Sequence, residues 1–174
     1  MDKEEYVIVL DYLPYGYPLE KKMMPIAQAI GETGFTLLQI VPRRGLSFAV
    51  GERVYIGEGK RENVLYILGR LPREDLTENA KSQLNEFIAK SVEKNEIKFV
   101  KFFNEATAMN TRLHQFELLP GFGKKHTKDL ITEREIKPFE SFEDIKHRVK
   151  NIPDPKKAIE KRLIEELTEM QRTN

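Results

Sequence analysis

The pattern of apolar residues changes abruptly near Pro72, and this change constrains the fold more than any other feature of the sequence. Before it, apolar residues form short runs separated by proline and glycine, which is typical of brief strands and tight turns. After it, apolar residues recur at helical spacing. A chain of 174 residues can hold one large domain or two small ones. We therefore predict two domains, residues 1–74 and residues 75–174.

The N-terminal domain is predicted to be mostly β. The candidate strands are YVIVLDYL, FTLLQIVP, ERVYIG and NVLYILGRL, at residues 6–13, 35–42, 52–57 and 63–71. A sheet of few strands has exposed edges unless it curls on itself. We therefore predict a small closed or partly closed barrel. Asp11 lies within an apolar strand, and we interpret it as making a turn contact at the strand end.

The C-terminal domain is predicted to be all α-helical. Candidate helices cover residues 76–96, 97–106, 111–119, 124–135, 141–150 and 154–170, and the second of them is also compatible with a strand. Thr77, Ser141 and Asp154 precede three of these helices and are residue types that cap helix N-termini, and Pro155 suits a first helical position.

The turn LPGFGKK, residues 119–125, has two glycines directly before a predicted helix. The first N–H groups of a helix lack carbonyl partners and carry partial positive charge, so they favour an anion. Gly121 and Gly123 would permit a tight turn and close approach of a phosphate, Phe122 would turn inward, and Lys124 and Lys125 would stand beside the anion. The alternative is a plain αα-hairpin with solvated lysines, and spacing alone leaves both interpretations open.

The stretch LLPGFGKKHTKDLITERE, followed by KPFESFEDIKHRV, resembles the helix-hairpin-helix motif of proteins of DNA repair, DNA uptake and recombination. The resemblance places such a motif at about residues 111–135 and implies that amides near Gly121 and Gly123 contact a nucleic-acid phosphate. Lysines on the following helix would assist, and the predicted contacts there are Lys124, Lys125 and Lys128. Thr127 stands where the family often has a smaller residue.

A second stretch, NIPDPKKAIEKRLI at residues 151–164, is similar to LLPGFGKKHTKDLI with one residue fewer. Asp154 and Pro155 stand where the glycines belong. An acid repels phosphate and proline has no N–H to donate, so we interpret this second segment as structural.

The strand-rich half resembles an OB-fold, which often binds single-stranded nucleic acid on a basic, aromatic face. The candidate contacts in this half are Arg43, Arg44, Arg53, Lys60 and Arg61. The candidate stacking surfaces are Tyr12, Tyr15, Tyr17, Phe48 and Tyr55, although aromatic residues in strands are more often part of the core. The whole chain is similar to an uncharacterised archaeal family of the domain-of-unknown-function series (655), on LPYG, VGERVYIG, LTENA and ELLPGFGKKH. That family is described as an OB-like domain followed by a helix-hairpin-helix domain, with nucleic-acid binding, preferably of RNA, implied.

Several function classes are disfavoured by composition. The 29 basic and 28 acidic residues give a net charge of +1, so the chain is not a general polycation. The lack of cysteine removes disulfides and thiolate metal sites. The three histidines, His114, His126 and His147, lie on separate predicted helices, so we expect no metal and no cofactor, and no nucleophile motif indicates an enzyme. The first apolar run is too short for a signal or membrane segment, so we expect a cytoplasmic protein without membrane contact.

The leading hypothesis is therefore a nucleic-acid-binding protein that contacts phosphates without reading sequence, with RNA slightly favoured over DNA. The rival is a protein-interaction adaptor in which the hairpin is structural and the last helix docks a partner through Ile159, Leu163 and Leu167. An enzyme of unknown reaction is the third hypothesis.

Overall fold

A computed structural model of the chain describes residues 3–18, 20 and 23–172, with the backbone alone for residues 168–172. These residues fall into two compact units, one within 1–86 and 167–174 and the other within 87–166. Helices α1, Glu78–Lys94, and α5, Pro155–Arg172, contribute residues to both units. The predicted domain boundary at residues 74 and 75 stays a prediction.

The N-terminal unit is built on one antiparallel sheet of five strands in the order β4-β1-β2-β3-β5. The strands are β1 Tyr6–Leu13, β2 Ile26–Gly31, β3 Leu37–Pro42, β4 Arg53–Tyr55 and β5 Val64–Arg70. The sheet curls into a half-barrel, with β4 and β5 at its two edges. The prediction of a mostly-β, barrel-like half is confirmed in this coarser form.

Strand β2 was not predicted, because its sequence IAQAIG mixes alanines, which favour strands weakly, with a polar glutamine. All six residues of the strand are buried. Gln28 is fully buried, and its side chain donates to the carbonyl of Asp75 at 3.0 Å and accepts from the amide of Thr77 at 2.9 Å. The strand therefore has both faces covered, and the segment that leads into α1 lies over one of them.

The other face of the sheet carries the core of the half-barrel. Its buried members are Val7, Val9, Ala27, Ala29, Leu38, Ile40, Phe48, Val54, Ile56 and Val64.

Asp11 sits where the pairing of β1 with β2 shifts by a bulge. Its carboxylate accepts from the amide of Tyr12 at 2.9 Å and from the hydroxyl of Thr77 at 2.5 Å. The same Thr77 oxygen accepts from the amide of Ala80 at 3.0 Å, so Thr77 caps α1 as predicted. Asp11 thus makes a local contact at a bulge inside β1 and not the turn contact expected at the strand end, and it also orients a helix cap 66 residues away.

The remaining helices are α2 Glu96–Glu105, α3 Lys124–Ile136 and α4 Phe142–Arg148. Five of the six predicted helices are therefore present, including the ambiguous second one. Ser141 accepts from the amide of Asp144 at 2.9 Å and Asp154 from the amide of Lys157 at 3.1 Å, so both predicted caps are confirmed.

The predicted helix at residues 111–119 is wrong. Ala108 and His114 form an antiparallel bridge, and a short 3₁₀ turn follows at Gln115–Leu118. The cause is the Asn110 side chain, which accepts from the amides of Arg112 and Leu113 at 2.7 and 2.9 Å and closes a tight loop instead of a helix.

Aromatic rings form the centre of the C-terminal unit. Phe103 and Phe116 are fully buried and stack with centroids 5.7 Å apart. Phe122 has only 6% of its surface exposed and lies 6.3 Å from Phe103, so the prediction that it turns inward is confirmed. This ring anchors the turn before α3 to the core.

Candidate nucleic-acid interface

The glycine turn leads from the 3₁₀ turn into α3, and its first glycine is required by the fold. Gly121 has φ +83°, a left-handed conformation that residues with a side chain rarely adopt. A Cβ atom there would also lie 3.4 Å from Cγ of Pro153. The backbone conformation therefore favours glycine at this position, whereas the distance to Pro153 is an ordinary van der Waals contact.

The second glycine has no such internal reason. Gly123 is the N-cap of α3 with φ −115° and ψ −167°, which any residue adopts. A Cβ atom there would meet nothing within 4 Å. Because neither conformation nor packing requires glycine, the bare backbone faces open space at the start of a 13-residue helix.

Local hydrogen bonds hold this helix start in place. The amide of Gly123 donates to Nδ1 of His126 at 3.1 Å. The hydroxyl of Thr127, which is buried, donates to the carbonyl of Gly123 at 3.0 Å. The amides of the first turn have no carbonyl partner within the helix, and Gly123 has no side chain to accept from them. They are thus available to an external anion.

The lysines beside the turn are in different situations. Nζ of Lys124 lies 3.2 Å from a carboxylate oxygen of Glu117 and also donates to the carbonyl of Arg112. Its side chain is nevertheless 74% exposed, and exposed ion pairs contribute little. Lys125 and Lys128 are exposed.

A shallow hollow of about 360 Å³ lies beside the α3 start. Arg112, Lys124 and Lys128 line it together with Glu117, whereas Lys125 does not. Arg112 was not predicted from the sequence, because the loop closed by Asn110 is what carries it to the α3 start. The sequence gives no spacing that would relate Arg112 to the α3 start, since Arg112 lies 12 residues before Lys124.

Two titratable groups set the charge of the turn. The amide of His114 donates to Glu117 at 2.9 Å, and this bond, assisted by Lys124, lowers the pKa of the Glu117 carboxyl. Burial, with Arg134 nearby, lowers the pKa of His114. The neutral imidazole accepts from the amide of Phe116 at 3.0 Å. Near neutral pH the turn therefore combines one carboxylate with several cations.

The predicted barrel contacts are mostly engaged with the protein itself. Arg53 pairs with both carboxylate oxygens of Glu32, at 2.6 and 3.1 Å, and lies over the Tyr6 ring at 3.6 Å. Arg43 donates to the carbonyl of Arg61 at 2.9 Å.

Three other predicted barrel cations lie close to or on the surface. Arg61 donates to the carbonyl of Gly57 at 2.9 Å, while Arg44 and Lys60 are exposed. Among the five predicted barrel cations, a hydrogen bond joins Arg43 to Arg61. A groove for single strands would need more than this pair, because it requires a single basic face.

The aromatic residues of this half serve mainly internal roles. Phe48 is in the core, and Tyr12 packs against it with ring centroids 6.3 Å apart. The Tyr17 hydroxyl bonds to Gln39 at 2.6 Å, and the Tyr55 hydroxyl accepts from the amide of Gly59 at 2.9 Å. Tyr15, at 71% exposure, is the most available of the five predicted stacking residues.

The face of α5 that the adaptor hypothesis uses is partly buried. Ile159 and Leu167 are each 6% exposed, and Leu163 is half-buried. Ile159 and Leu163 nevertheless line an apolar hollow of about 310 Å³ together with Phe99, Phe102 and Leu118, so the adaptor hypothesis stays a prediction.

Comparison with known proteins identifies the family. Residues 3–174 match the family described as "Protein of unknown function (DUF655)". The chain belongs to the DUF655 family. The crystal structure of a DUF655 protein, Af1531 from Archaeoglobus fulgidus, is 47% identical with a TM-score of 0.83, covering 97% of this chain and 96% of that one. The uncharacterized protein MJ0038 of Methanocaldococcus jannaschii is 44% identical over 166 residues, which are 95% of this chain and 75% of the relative. The predicted family and its archaeal relatives are confirmed, while the OB-fold and helix-hairpin-helix assignments stay predictions.

Two further observations concern the described residues of this DUF655 chain. No helix among them is both long and apolar enough to cross a membrane. Within the same residues, no group of three or more His, Cys, Asp or Glu side chains could hold a metal ion.

Proposed function

We propose that this DUF655 protein binds nucleic acid by holding a backbone phosphate at the start of α3. The observation that carries the proposal is Gly123, a glycine that neither its backbone angles nor its surroundings require. A missing side chain there lets an external group approach the amides of the first turn.

The chemistry of such a site follows from the helix start. Phosphate oxygens accept hydrogen bonds from the free amides, and the helix dipole favours their negative charge. Lys125 adds positive charge from the exposed side of the helix, and Arg112, Lys124 and Lys128 add it from the hollow. Contacts of this kind hold the backbone and read no base, so binding is independent of sequence.

The helix-hairpin-helix resemblance supports the proposal with one modification. The glycine turn and the second helix correspond to LPGFGKK and α3, but a 3₁₀ turn at Gln115–Leu118 replaces the first helix. The proposed phosphate site uses the turn and the second helix alone, so the proposal does not require the first helix of the motif.

The half-barrel has a smaller role in the proposal. OB-folds bind oligonucleotides on the face of strands 2 and 3 and with two loops, one of which joins strands 4 and 5. Here the bonds from Gln28 to Asp75 and Thr77 cover one face of β2, and the core fills the other. We therefore propose the β4–β5 loop, with Lys60 and Arg61, as the secondary contact.

Fluorescence anisotropy tests the proposal, using structured RNA, single-stranded RNA, duplex DNA and single-stranded DNA of one sequence over a salt series. Four cations near one helix start predict that log affinity for duplex DNA falls with log salt with a slope of about −3.6. A phosphate clamp does not sense the 2′-hydroxyl, so a preference for RNA would come from helix shape. Absence of binding at low salt, or binding that salt does not weaken, would refute the proposal.

A further inference from the structure

The hollow beside the α3 start is lined on one side by a single face of that helix. The α3 residues in its lining are spaced i, i+3, i+4, i+7 and i+8 from the first residue of the helix: Lys124, Thr127, Lys128, Ile131 and Thr132. Such a face covers just over two helical turns, or about 12 Å. The hollow therefore begins at the proposed phosphate site and continues along the helix away from it.

Apolar side chains line much of the hollow. Ala108 and Leu113 contribute to it from the loop that Asn110 closes, and Ile131 contributes from α3. Leu113 and Ile131 are half-buried and Ala108 is exposed, so all three keep apolar surface in contact with water. A volume of about 360 Å³ is within the range of pockets for small organic groups, which is about 300–1,000 Å³. The hollow therefore favours an occupant with apolar surface of its own.

The charged residues around the hollow set a second requirement. Among the described residues that line it are three cations, Arg112, Lys124 and Lys128, and one carboxylate, that of Glu117. Lys124 lies beside this carboxylate and offsets it, whereas Arg112 and Lys128 are exposed and leave the hollow positive. Burial lowers the pKa of His114, so this residue adds no charge near neutral pH. The occupant should therefore combine apolar surface with negative charge.

One nucleotide of a nucleic-acid strand has both properties. Its phosphate is the anion, and each of the bases has an apolar face. The planar guanidinium of Arg112 can also lie against such a face. On the basis of the proposed function, we propose that the hollow holds one unpaired base of the strand whose phosphate lies at the α3 start.

A base in the hollow makes the protein prefer unpaired nucleotides to a continuous duplex. Bases inside a duplex are paired and stacked, and they reach a pocket only by leaving the stack, which costs free energy. Single strands, loops and bulges present bases that are already unstacked. We therefore expect a duplex with one bulged nucleotide to bind more tightly than the same duplex without it.

Anisotropy titrations with two DNA strands of equal length test the hollow separately from the phosphate site. One is an ordinary single strand, and the other has the same phosphates but abasic sugars. Stacking on an aromatic side chain favours a base by about fivefold or more, so aliphatic walls should favour the ordinary strand by about threefold. Because the two strands carry the same phosphates, the ratio of their affinities reports the bases alone.

Two matched variants of α3 locate the effect. Ile131→Ser removes an apolar side chain from the hollow and should lower the ratio of the two affinities towards equality. Ile136→Ser makes the same change in the same helix at a residue that is 74% exposed and lies outside the lining, so it should keep the ratio of the parent. Circular dichroism verifies that both variants are folded.

Equal affinity of the parent for the two strands would overturn the assignment of a base to the hollow and leave the phosphate site standing; the hollow would then serve another occupant. Equal ratios for Ile131→Ser and Ile136→Ser would overturn the assignment as well. Failure of both strands to bind at low salt would overturn the proposed function itself and, with it, the base in the hollow.

Discussion

Helices α3 and α5 each have a pair of lysines in the first turn, and the difference between their starts shows what makes an anion site. Helix α3 begins after Gly123, which has no side chain to cap it. Helix α5 begins with Pro155 after Asp154, whose carboxylate accepts the amide of Lys157 at 3.1 Å. Proline has no amide hydrogen, and the aspartate repels phosphate. The lysines are shared, so the residue before the helix and the amides of the first turn separate the two helix starts.

The ionic contacts of the two lysine pairs are also alike. Lys124 pairs with Glu117 at 3.2 Å, and Lys156 pairs with Glu160 at 2.5 Å. The second lysine of each pair, Lys125 or Lys157, is exposed. The two helix starts therefore form a matched comparison within one molecule, in which charge is similar and amide availability differs.

The largest expected effect is that of charge reversal on α3. Lys125→Glu with Lys128→Glu places two acids beside the proposed phosphate, and should weaken binding by at least about tenfold and reduce the salt slope by about 2. The matched control is Lys157→Glu with Lys161→Glu on α5, which makes the same change in net charge. Anisotropy titrations with one RNA and one DNA measure both.

Equal losses from the α3 and α5 variants would contradict the comparison. They would mean that nucleic acid senses only the net charge of the protein, and that the open helix start of α3 has no special role.

The two glycines of the turn should respond differently to substitution. Gly121→Ala forces a side chain into the left-handed conformation at φ +83°, so we expect a loss of about 1–2 kcal/mol of unfolding free energy. Urea denaturation monitored by circular dichroism measures it. An unchanged midpoint would show that Gly121 is as free of internal constraint as Gly123.

Gly123→Ser should make the protein more stable and a weaker binder at once. Its hydroxyl can accept from the amides of the first turn, which stabilises the helix by a few tenths of a kcal/mol relative to glycine. The same hydroxyl occupies those amides, and the new Cβ keeps phosphate away, so affinity should fall several-fold.

Urea denaturation and anisotropy on the same preparation separate these two effects of Gly123→Ser. The control Asp154→Ser exchanges one capping residue for another at α5 and should leave affinity unchanged. Undiminished binding by Gly123→Ser would remove the main support for the phosphate site.

The sequence predicted these helix starts well because capping is local. Thr77, Ser141 and Asp154 each accept an amide three residues later, and residue type together with helical spacing is enough to recognise that. The glycine turn with Phe122 directed inward was predictable for the same reason, since the residues concerned are neighbours in sequence.

The parts that escaped prediction depend on distant or competing contacts. Strand β2 is stabilised through Gln28, whose partners lie 47 and 49 residues away, so its own six residues carried little strand signal. Residues 111–119 do have helical spacing, but the Asn110 side chain closes a loop there first. Arg112 reaches the α3 start through that loop, which explains why the sequence did not place it there.

The smallest expected effect concerns pH and the 3₁₀ turn that precedes α3. His114 has a pKa below its ordinary value of 6.5 because of burial, so the folded protein binds a proton at His114 less readily than the unfolded chain does. Stability should therefore be constant above about pH 6.5 and decrease as the pH falls below it.

His114→Asn keeps a side-chain oxygen that can accept from the turn amides but cannot titrate, so its stability should depend less on pH between pH 7 and pH 5. Thermal unfolding at fixed ionic strength over that range measures the difference. Parallel pH profiles for the two proteins would mean that the His114 imidazole is protonated as easily in the folded turn as in the unfolded chain.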